Sequence, residues 1–304
     1  MLYITQTALE LGFLYALVPM ALFLSYRVLD IADLTTDGCF VLGAAVSVVC
    51  AAAGHPILGI FAAMGAGVIA GSITAFLQTH LGVPSILAGI ITNTGLYTIN
   101  LMVMGWSANV SLLKTETLFT MFKATGIGGA WYEALLAAAV TILMGILLLL
   151  FLRTRIGLSV RATGDNMDMV RASSVNPAFT ITVGLGFANA MTALSGAMVG
   201  QYQNTVDING GTGIVVIGLA CLIIGETVLG RRTIRKGVIA AVVGSIIYRV
   251  IYAVVLYTKI VPVQGLKLIT AIVVALAIAS PTIKSWLAFQ KKKAMSQKGG
   301  NADA

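Results

Sequence analysis

The sequence predicts an all-α, polytopic membrane bundle of about nine to ten spans, amino terminus outside and carboxyl terminus inside. Three observations predict it. The first is composition: of 304 residues, 58% are hydrophobic and only 10% charged, with a mean hydropathy of +0.96. A soluble domain carries about 25% charged residues, so this chain lacks the polar surface to cover a globule in water. The second is the recurrence of apolar runs near the ~20 residues that a membrane span takes. The third is the placement of the basic residues. With the polar loop after residue 152 set inside, Arg27, Arg153, Arg155, Arg161, Arg171, Arg231, Arg232, Arg235, Lys236, Lys284, Lys291, Lys292, Lys293 and Lys298 all fall inside. Only Lys114, Lys123, Lys259 and Lys267 fall outside, and Arg249 lies within a span. That asymmetry follows the positive-inside rule. The net charge of +8 is read as this bias, and no nucleic-acid partner is expected.

The expected spans cover residues 5–26, 37–53, 57–79, 84–104, 131–152, 179–200, 213–230, 237–257 and 266–283. The first ten residues, "MLYITQTALE", hold no Lys or Arg, so a cleavable signal peptide is not expected. The second span is short and follows Asp30, Asp33 and Asp37. A half-helix or re-entrant segment fits it, tolerated where protein or a water-filled cavity surrounds it. The third, sixth and later runs carry many glycines, among them the G-x-x-x-G pairs Gly67–Gly71 and Gly196–Gly200, which permit close helix approach. Residues 1–284 thus form one transmembrane domain with a cytoplasmic loop at 153–178. Residues 285–304 form a basic tail, expected to be disordered, whose lysines meet anionic lipid headgroups.

Soluble-enzyme motifs are absent. No G-x-x-x-x-G-K-[ST] occurs to cradle ATP, and no H-E-x-x-H or G-x-S-x-G. Cys39, Cys50 and Cys221 all fall in expected spans and read as small packing residues. No cofactor or metal is expected in this chain.

The polar loop is the exception in an apolar chain. Ser173–Ser174–Val175–Asn176–Pro177 reads as a helix stop and turn, because Pro177 disfavours helix at Asn176. Upstream, residues 166–172 fit a short helix capped by Asp165 or Asn166, on which Met167, Val170 and Arg171 share a face. Such a helix suits docking to another protein; a plain solvated connector with orienting arginines fits the composition as well.

The stretch "VRATGDNMDMVRASSVNP" resembles the cytoplasmic coupling loop of ABC importer permeases of the branched-chain amino acid and ribose class. "YRVLDIADLTTDGCFVLGAAV" and "NGGTGIVVIGLACLIIGETVLG" resemble two further stretches of that family, in the same order along the chain. The first of them looks most like the tryptophan/tyrosine transport permease subgroup. The resemblance covers nearly the whole chain. It implies that Arg161, Gly164, Asp165, Asn166, Met167, Val170, Arg171 and Ser174 couple the chain to an ABC ATPase subunit, which binds ATP and Mg on the cytoplasmic side. It also implies an external substrate-binding protein, a second permease chain (a homodimer) and a bacterial plasma membrane. Ser174 departs from the pattern, standing where the family usually has Gly; a left-handed Ser costs roughly 1 kcal/mol.

Polar groups inside spans are expensive and usually face the bundle interior. Asn93, Tyr97 and Asn100 lie at i, i+4 and i+7 on one stripe, and Asn189 recurs with Thr192 and Ser195. They read either as interhelical hydrogen-bonding glue or as the wall of a translocation path. Arg249 either lines that path or snorkels outward beside Tyr248 and Tyr252. The expected function is the membrane subunit of an ATP-driven, binding-protein-dependent importer of an amino acid, aromatic by subgroup, with no enzymatic activity of its own. The alternative is an ion-gradient-coupled secondary transporter. That rival needs buried carboxylates, and Glu226 is the acid expected well within a span.

Overall fold

The computed structural model describes residues 2–112, 115–124, 126, 129–230 and 233–258, with 271, 272, 275 and 279. Most of the expected span 266–283, the tail 285–304, and Lys114, Arg231, Arg232, Lys259 and Lys267 lie outside the described residues.

The described residues are helical almost throughout. In order come α1 Leu2–Leu22, drawn out into a π-helical turn Phe23–Val28, α2 Thr36–Ala52, α3 Pro56–Thr79, α4 Ser85–Val103, α5 Leu118–Ala124 and α6 Tyr132–Phe151. Then come α7 Arg155–Asp165, α8 Met167–Ala172, α9 Pro177–Gln203, α10 Ile214–Leu229 and α11 Ile234–Thr258. Two three-residue strands, β1 Asn109–Ser111 and β2 Thr205–Asp207, pair antiparallel with Val110 opposite Val206. They join the connections after α4 and α9 at the end of the bundle opposite α7 and α8. The π-helical turn and this small ribbon have no counterpart in the hydropathy pattern.

Six stretches among the described residues are long and apolar enough to cross a membrane: Thr5–Val28, Pro56–Thr79, Ser85–Val103, Tyr132–Phe151, Pro177–Gln203 and Ile234–Tyr257. Thr36–Ala52 and Ile214–Leu229 are shorter apolar helices. At 1.5 Å per residue they reach only about 25 and 24 Å, against a hydrocarbon core of about 30 Å. The segment expected to be short at 37–53 is short, and 213–230, expected as a span, is short as well; both fit half-helices.

The helices interlock as two similar groups. The pair α2–α3 holds α9, the pair α10–α11 holds α1, and α1 and α9 pack against each other at the centre. These two central helices are the most buried of the long ones. They run antiparallel, since Ser195 Oγ donates to the Leu14 carbonyl while Gly184 packs on Leu29. α2 runs along α9, with Gly43 against Ala193 and Gly200 against Val48, whereas α10 runs along α1, with Gly218 against Val18 and Glu226 against Arg27. The two short helices therefore point in opposite directions, the mark of an inverted structural repeat.

Close approach rests on glycine. A Cβ on Gly196 would collide with the Phe40 carbonyl, and one on Gly225 with the Ala240 carbonyl. Both G-x-x-x-G pairs read from the sequence sit at such contacts: Gly67 and Gly71 lie against Asn189 and Leu185. Gly65, by contrast, has nothing within 4 Å of its would-be Cβ. Gly196→Ala should therefore destabilise the detergent-solubilised protein by about 1–3 kcal/mol or more. Gly65→Ala should leave it unchanged or up to about 1 kcal/mol more stable. Thermal unfolding of both variants checks this, and equal midpoints would contradict the packing described.

Candidate functional site

The two short helices meet deep inside the bundle. Asn189 lies twelve residues into α9, about 18 Å from its Pro177 end at 1.5 Å per residue. Its Nδ2 donates to Asp33 Oδ2 at 2.7 Å, and the Thr35 amide donates to Asp33 Oδ1 at 2.9 Å. The linker 29–35 is thereby held at mid-depth, and α2 begins there. One turn on, Asp37 accepts the Gly213 amide at 3.0 Å and the Val215 amide at 2.8 Å. A carboxylate of α2 thus caps the amino terminus of α10, meeting both the unfilled amides and the positive end of that helix. Thr35, Thr74 and Thr92 add a buried hydroxyl chain at 2.8 and 3.0 Å that ties α3 and α4 to the junction.

A cavity of about 320 Å³ opens at this junction. The stripe read from the sequence, Asn93, Tyr97 and Asn100, forms one wall; Asp37, Gly38 and the turn 208–212 form the others. Asn100 Nδ2 donates to the Gly38 carbonyl at 3.1 Å, while its Oδ1 is buried without a partner. Gly38 keeps the α2–α4 contact close, because a Cβ there would strike Asn93 Oδ1. Asn189 is fully buried and holds Asp33 instead of lining this cavity. Arg249 is also elsewhere, its guanidinium stacked 3.6 Å from the Tyr15 ring centre, so it neither lines the cavity nor extends outward alone.

The polar loop is more ordered than a connector. The sequence reading missed α7, whose Thr154 cap accepts the Gly157 amide at 3.1 Å. Gly164 lets α7 rest on the Val28 carbonyl at the π-helical turn. Asn166 caps α8 through the Met169 amide at 2.9 Å, and Asn176 caps α9 through the Ala178 amide at 2.9 Å, with Pro177 in the first turn. Between them Ser174 takes the left-handed conformation, φ 61°. On α8 the face expected for docking divides. Val170 is buried at 4%, whereas Met167, Met169 and the Arg171 side chain are 38, 66 and 64% exposed. The outward surface is therefore Met167, Asp168, Met169 and Arg171, with Arg171 3.7 Å from Asp168.

Arg161 and Asp165 turn a different way. They line a second cavity, of about 380 Å³, between α7, the end of α1 and the start of α11. Its far wall carries the Arg27–Glu226 pair, with Arg27 Nε at 3.0 Å and a terminal nitrogen at 2.7 Å from the two carboxylate oxygens. The expectation that Glu226 is the acid within a span needs correction. Glu10 and Asp33 are as buried as Glu226, at 2, 3 and 5%. Glu10 accepts from Gln6 at 2.9 Å and Tyr202 at 2.7 Å. Hydropathy averaging hid Glu10, and Asp33 counted as loop because the linker rises to mid-depth only in three dimensions. No group of three or more metal-ligating side chains occurs among the described residues.

The Arg27–Glu226 pair joins α1 to α10 at the loop end, with side chains 30 and 4% exposed. Removing the arginine takes two charge-assisted donors from a buried carboxylate, which costs about 3–5 kcal/mol in a buried pair. Arg27→Met should show that loss in thermal unfolding, and adding Glu226→Met should recover much of it. A double variant no more stable than Arg27→Met would show that the two charges do not act as a unit.

A family profile described as the permease component of the branched-chain amino acid transport system matches residues 4–281. The tyrosine transport system permease protein of Clostridioides difficile (strain R20291) is 32% identical over 266 residues, 87% of either chain. An uncharacterized protein of Rickettsia prowazekii (strain Madrid E) is 32% identical over 278 residues, 90% of this chain and 96% of its own. No solved structure matches. With its apolar helices and inverted half-helices, this multi-pass membrane protein belongs to the family of permease components of the branched-chain amino acid transport system.

Proposed function

We propose that the chain is the membrane subunit of an ATP-driven importer for an amino acid, aromatic in class, in the plasma membrane of a bacterium. A cytoplasmic ABC ATPase binds ATP and Mg and supplies the energy. An external binding protein delivers the substrate, and two copies of this chain form the path between them. The observation that carries the reading is α8: a two-turn helix capped at its start, held against α7 and α9, with methionine and arginine turned outward. Methionine adapts to a partner's apolar cleft, and arginine pairs bidentately with carboxylates. The family supports ATPase and binding-protein partners in general, and the name of the Clostridioides difficile relative favours an aromatic substrate. The ion-coupled alternative is less supported, because Glu10, Asp33 and Glu226 are dispersed and each is held by protein donors.

Orientation is tested by labelling. Cys39, Cys50 and Cys221 are free thiols, buried or half-buried, so a cysteine-free background is accessible. On it, Asp168→Cys should resist a membrane-impermeant maleimide in intact cells and react after permeabilisation, and Lys123→Cys should react in both. Reaction of Cys at 168 in intact cells would invert the topology and remove the ATPase from that face.

Docking is tested by co-purification. Arg171→Glu should reduce retention of the ATPase by about tenfold or more, the effect of losing an arginine anchor, and should abolish ATP-driven uptake while the permease stays folded. Met169→Asp should act in the same direction. Full retention and uptake by both variants would make the loop a connector only.

A further inference from the structure

We propose that the cavity of about 380 Å³ between α7 and the α10–α11 pair is an inner gap that closes during transport, and that Asp165 and Arg161 of α7 then join the Arg27–Glu226 pair in one ring of charges. The proposal rests on the importer reading, which supplies the motion. Interiors are close-packed, so a void of this size marks either a bound ligand or a gap between parts that move. The lining gives a ligand of neither sign an advantage. It brings two arginines, Arg27 and Arg161, and two carboxylates, Asp165 and Glu226. Thr233 is the remaining polar side chain, and its Oγ1 already accepts the Lys236 amide. Phe23, Val28, Ile234 and Gly237 complete the walls.

The four charges are unevenly satisfied. Arg27 holds Glu226 through Nε and one terminal nitrogen, which leaves the other terminal nitrogen with donors to spare. Arg161 and Asp165 stand at i and i+4 on α7, a spacing at which opposite charges can pair. Yet among the described residues neither comes within 4.0 Å of an opposite charge. Both line the cavity unpaired, and the matching signs stand on the opposite wall.

The contacts of α7 define how it can swing. Thr163 shares a 2.8 Å hydroxyl bond with Thr180 of α9, and Val160 packs on Gly184 of the same helix. α7 therefore travels with α9 and its partners α2 and α3. On the opposite wall Gly237 keeps α11 against the end of α1, since a Cβ there would enter the Phe23 ring. The two walls thus belong to the two packed groups, and inverted repeats alternate access by rocking against each other. The walls touch where Gly164 rests on the Val28 carbonyl. Asp165 follows Gly164 in the chain and Arg27 precedes Val28, so these two charges flank the pivot. Arg161 lies one turn further out on α7 and sweeps toward Glu226 as the gap narrows.

The test follows the gap in the assembled transporter, the full-length permease with its ATPase and binding protein in proteoliposomes. On a background free of other cysteines, Ala162→Cys on α7 and Arg235→Cys on α11, both exposed positions, carry spin labels. Dilution with unlabelled copies keeps one labelled chain per complex, and pulsed electron resonance reads the separation. It should differ between the nucleotide-free and the ATP-trapped complex, shorter in one of the two. Asp165→Lys should remove that difference and lower uptake about tenfold or more, the effect of reversing one charge of a partly buried pair, with ATPase retention unchanged. Asp165→Glu should restore both. A separation equal in the two states, or a difference that survives Asp165→Lys, overturns the proposal. Loss of ATPase retention in Asp165→Lys makes the residue a docking contact and overturns it as well. The comparison of nucleotide states needs no charge variant, so a misfolded Asp165→Lys does not protect the proposal. A constant separation in a transporter that still imports removes the gap and leaves the importer. No ATP-driven uptake by the unmodified chain is the failure of the importer reading itself.

Discussion

Two helix amino termini meet at one carboxylate in the middle of an apolar bundle, and most of the architecture follows from that. Each terminus carries unfilled amides and the equivalent of about half a positive charge. In hydrocarbon neither would persist unpartnered, since each unsatisfied polar group costs several kcal/mol there. Asp37 answers both needs, as an acidic residue in the first turn of α2 and as the acceptor of two amides of α10. Asp33 does the corresponding work one turn earlier, fixing the linker to Asn189 on α9. Non-helical backbone at this depth has to be enclosed by protein, and α3, α4 and α9 enclose it through glycines and hydroxyls. Gly89 lies against the Leu34 backbone, and Thr74 bridges Thr35 to Thr92.

The junction is also joined to the polar loop by continuous packing. α7 rests through Gly164 on Val28, Leu29 lies on Gly184 of α9, and Asp33 is bound to Asn189 a little further along the same helix. The π-helical turn lies in the middle of that route. Such turns are rare and cluster at functional sites; here the wider turn ends α1 and leads into the linker that rises to Asp33. On the proposed reading, a displacement of α8 reaches the half-helix start through rigid contacts and not through a flexible tether. Ser174 fits this picture: a left-handed serine, strained by roughly 1 kcal/mol, fixes the angle between α8 and α9 where a glycine would leave it freer.

What the sequence made legible was local. Capping chemistry acts within three or four residues, so a cap at Asp165 or Asn166 was legible, and Asn166 is the one that caps; Pro177, read as part of a turn, is the first residue of α9. The span positions followed from apolar length, and the shortness of α2 was visible in the same way. The Asn93–Tyr97–Asn100 stripe was visible as a period-3.6 repeat, although which wall it forms was not. The contacts that define the junction were hidden because they join distant residues: Asp37 to Gly213, Asn189 to Asp33, Arg27 to Glu226. A periodicity in one helix carries no information about its neighbour. One signal was available: Asp-Gly at 37–38 and the glycine-rich run 210–213 each precede a short apolar helix, and paired interrupted segments in two halves of a chain are what an inverted repeat leaves behind. The burial of Val170 was hidden for a related reason, since a shared helix face says nothing about whether a residue on it turns inward or toward water.

The placement of charge bears on where the free energy for transport comes from. A carrier driven by a proton gradient needs a titratable side chain whose occupancy changes during the cycle. Four carboxylates hold secondary structure in place: Asp33 fixes the linker, Asp37 caps α10, Glu226 clamps α1 to α10, and Glu10 joins α1 to Tyr202 on α9. Emptying any of them of its donors to load an ion would loosen a helix end in a medium without water to replace the lost bonds. The outward side chains of α8, Met167, Met169 and Arg171 among them, carry no such duty and suit a protein partner. On the proposed reading, a chain with these four acids committed to architecture and its adaptable surface turned outward at the loop end is moved by a partner outside itself.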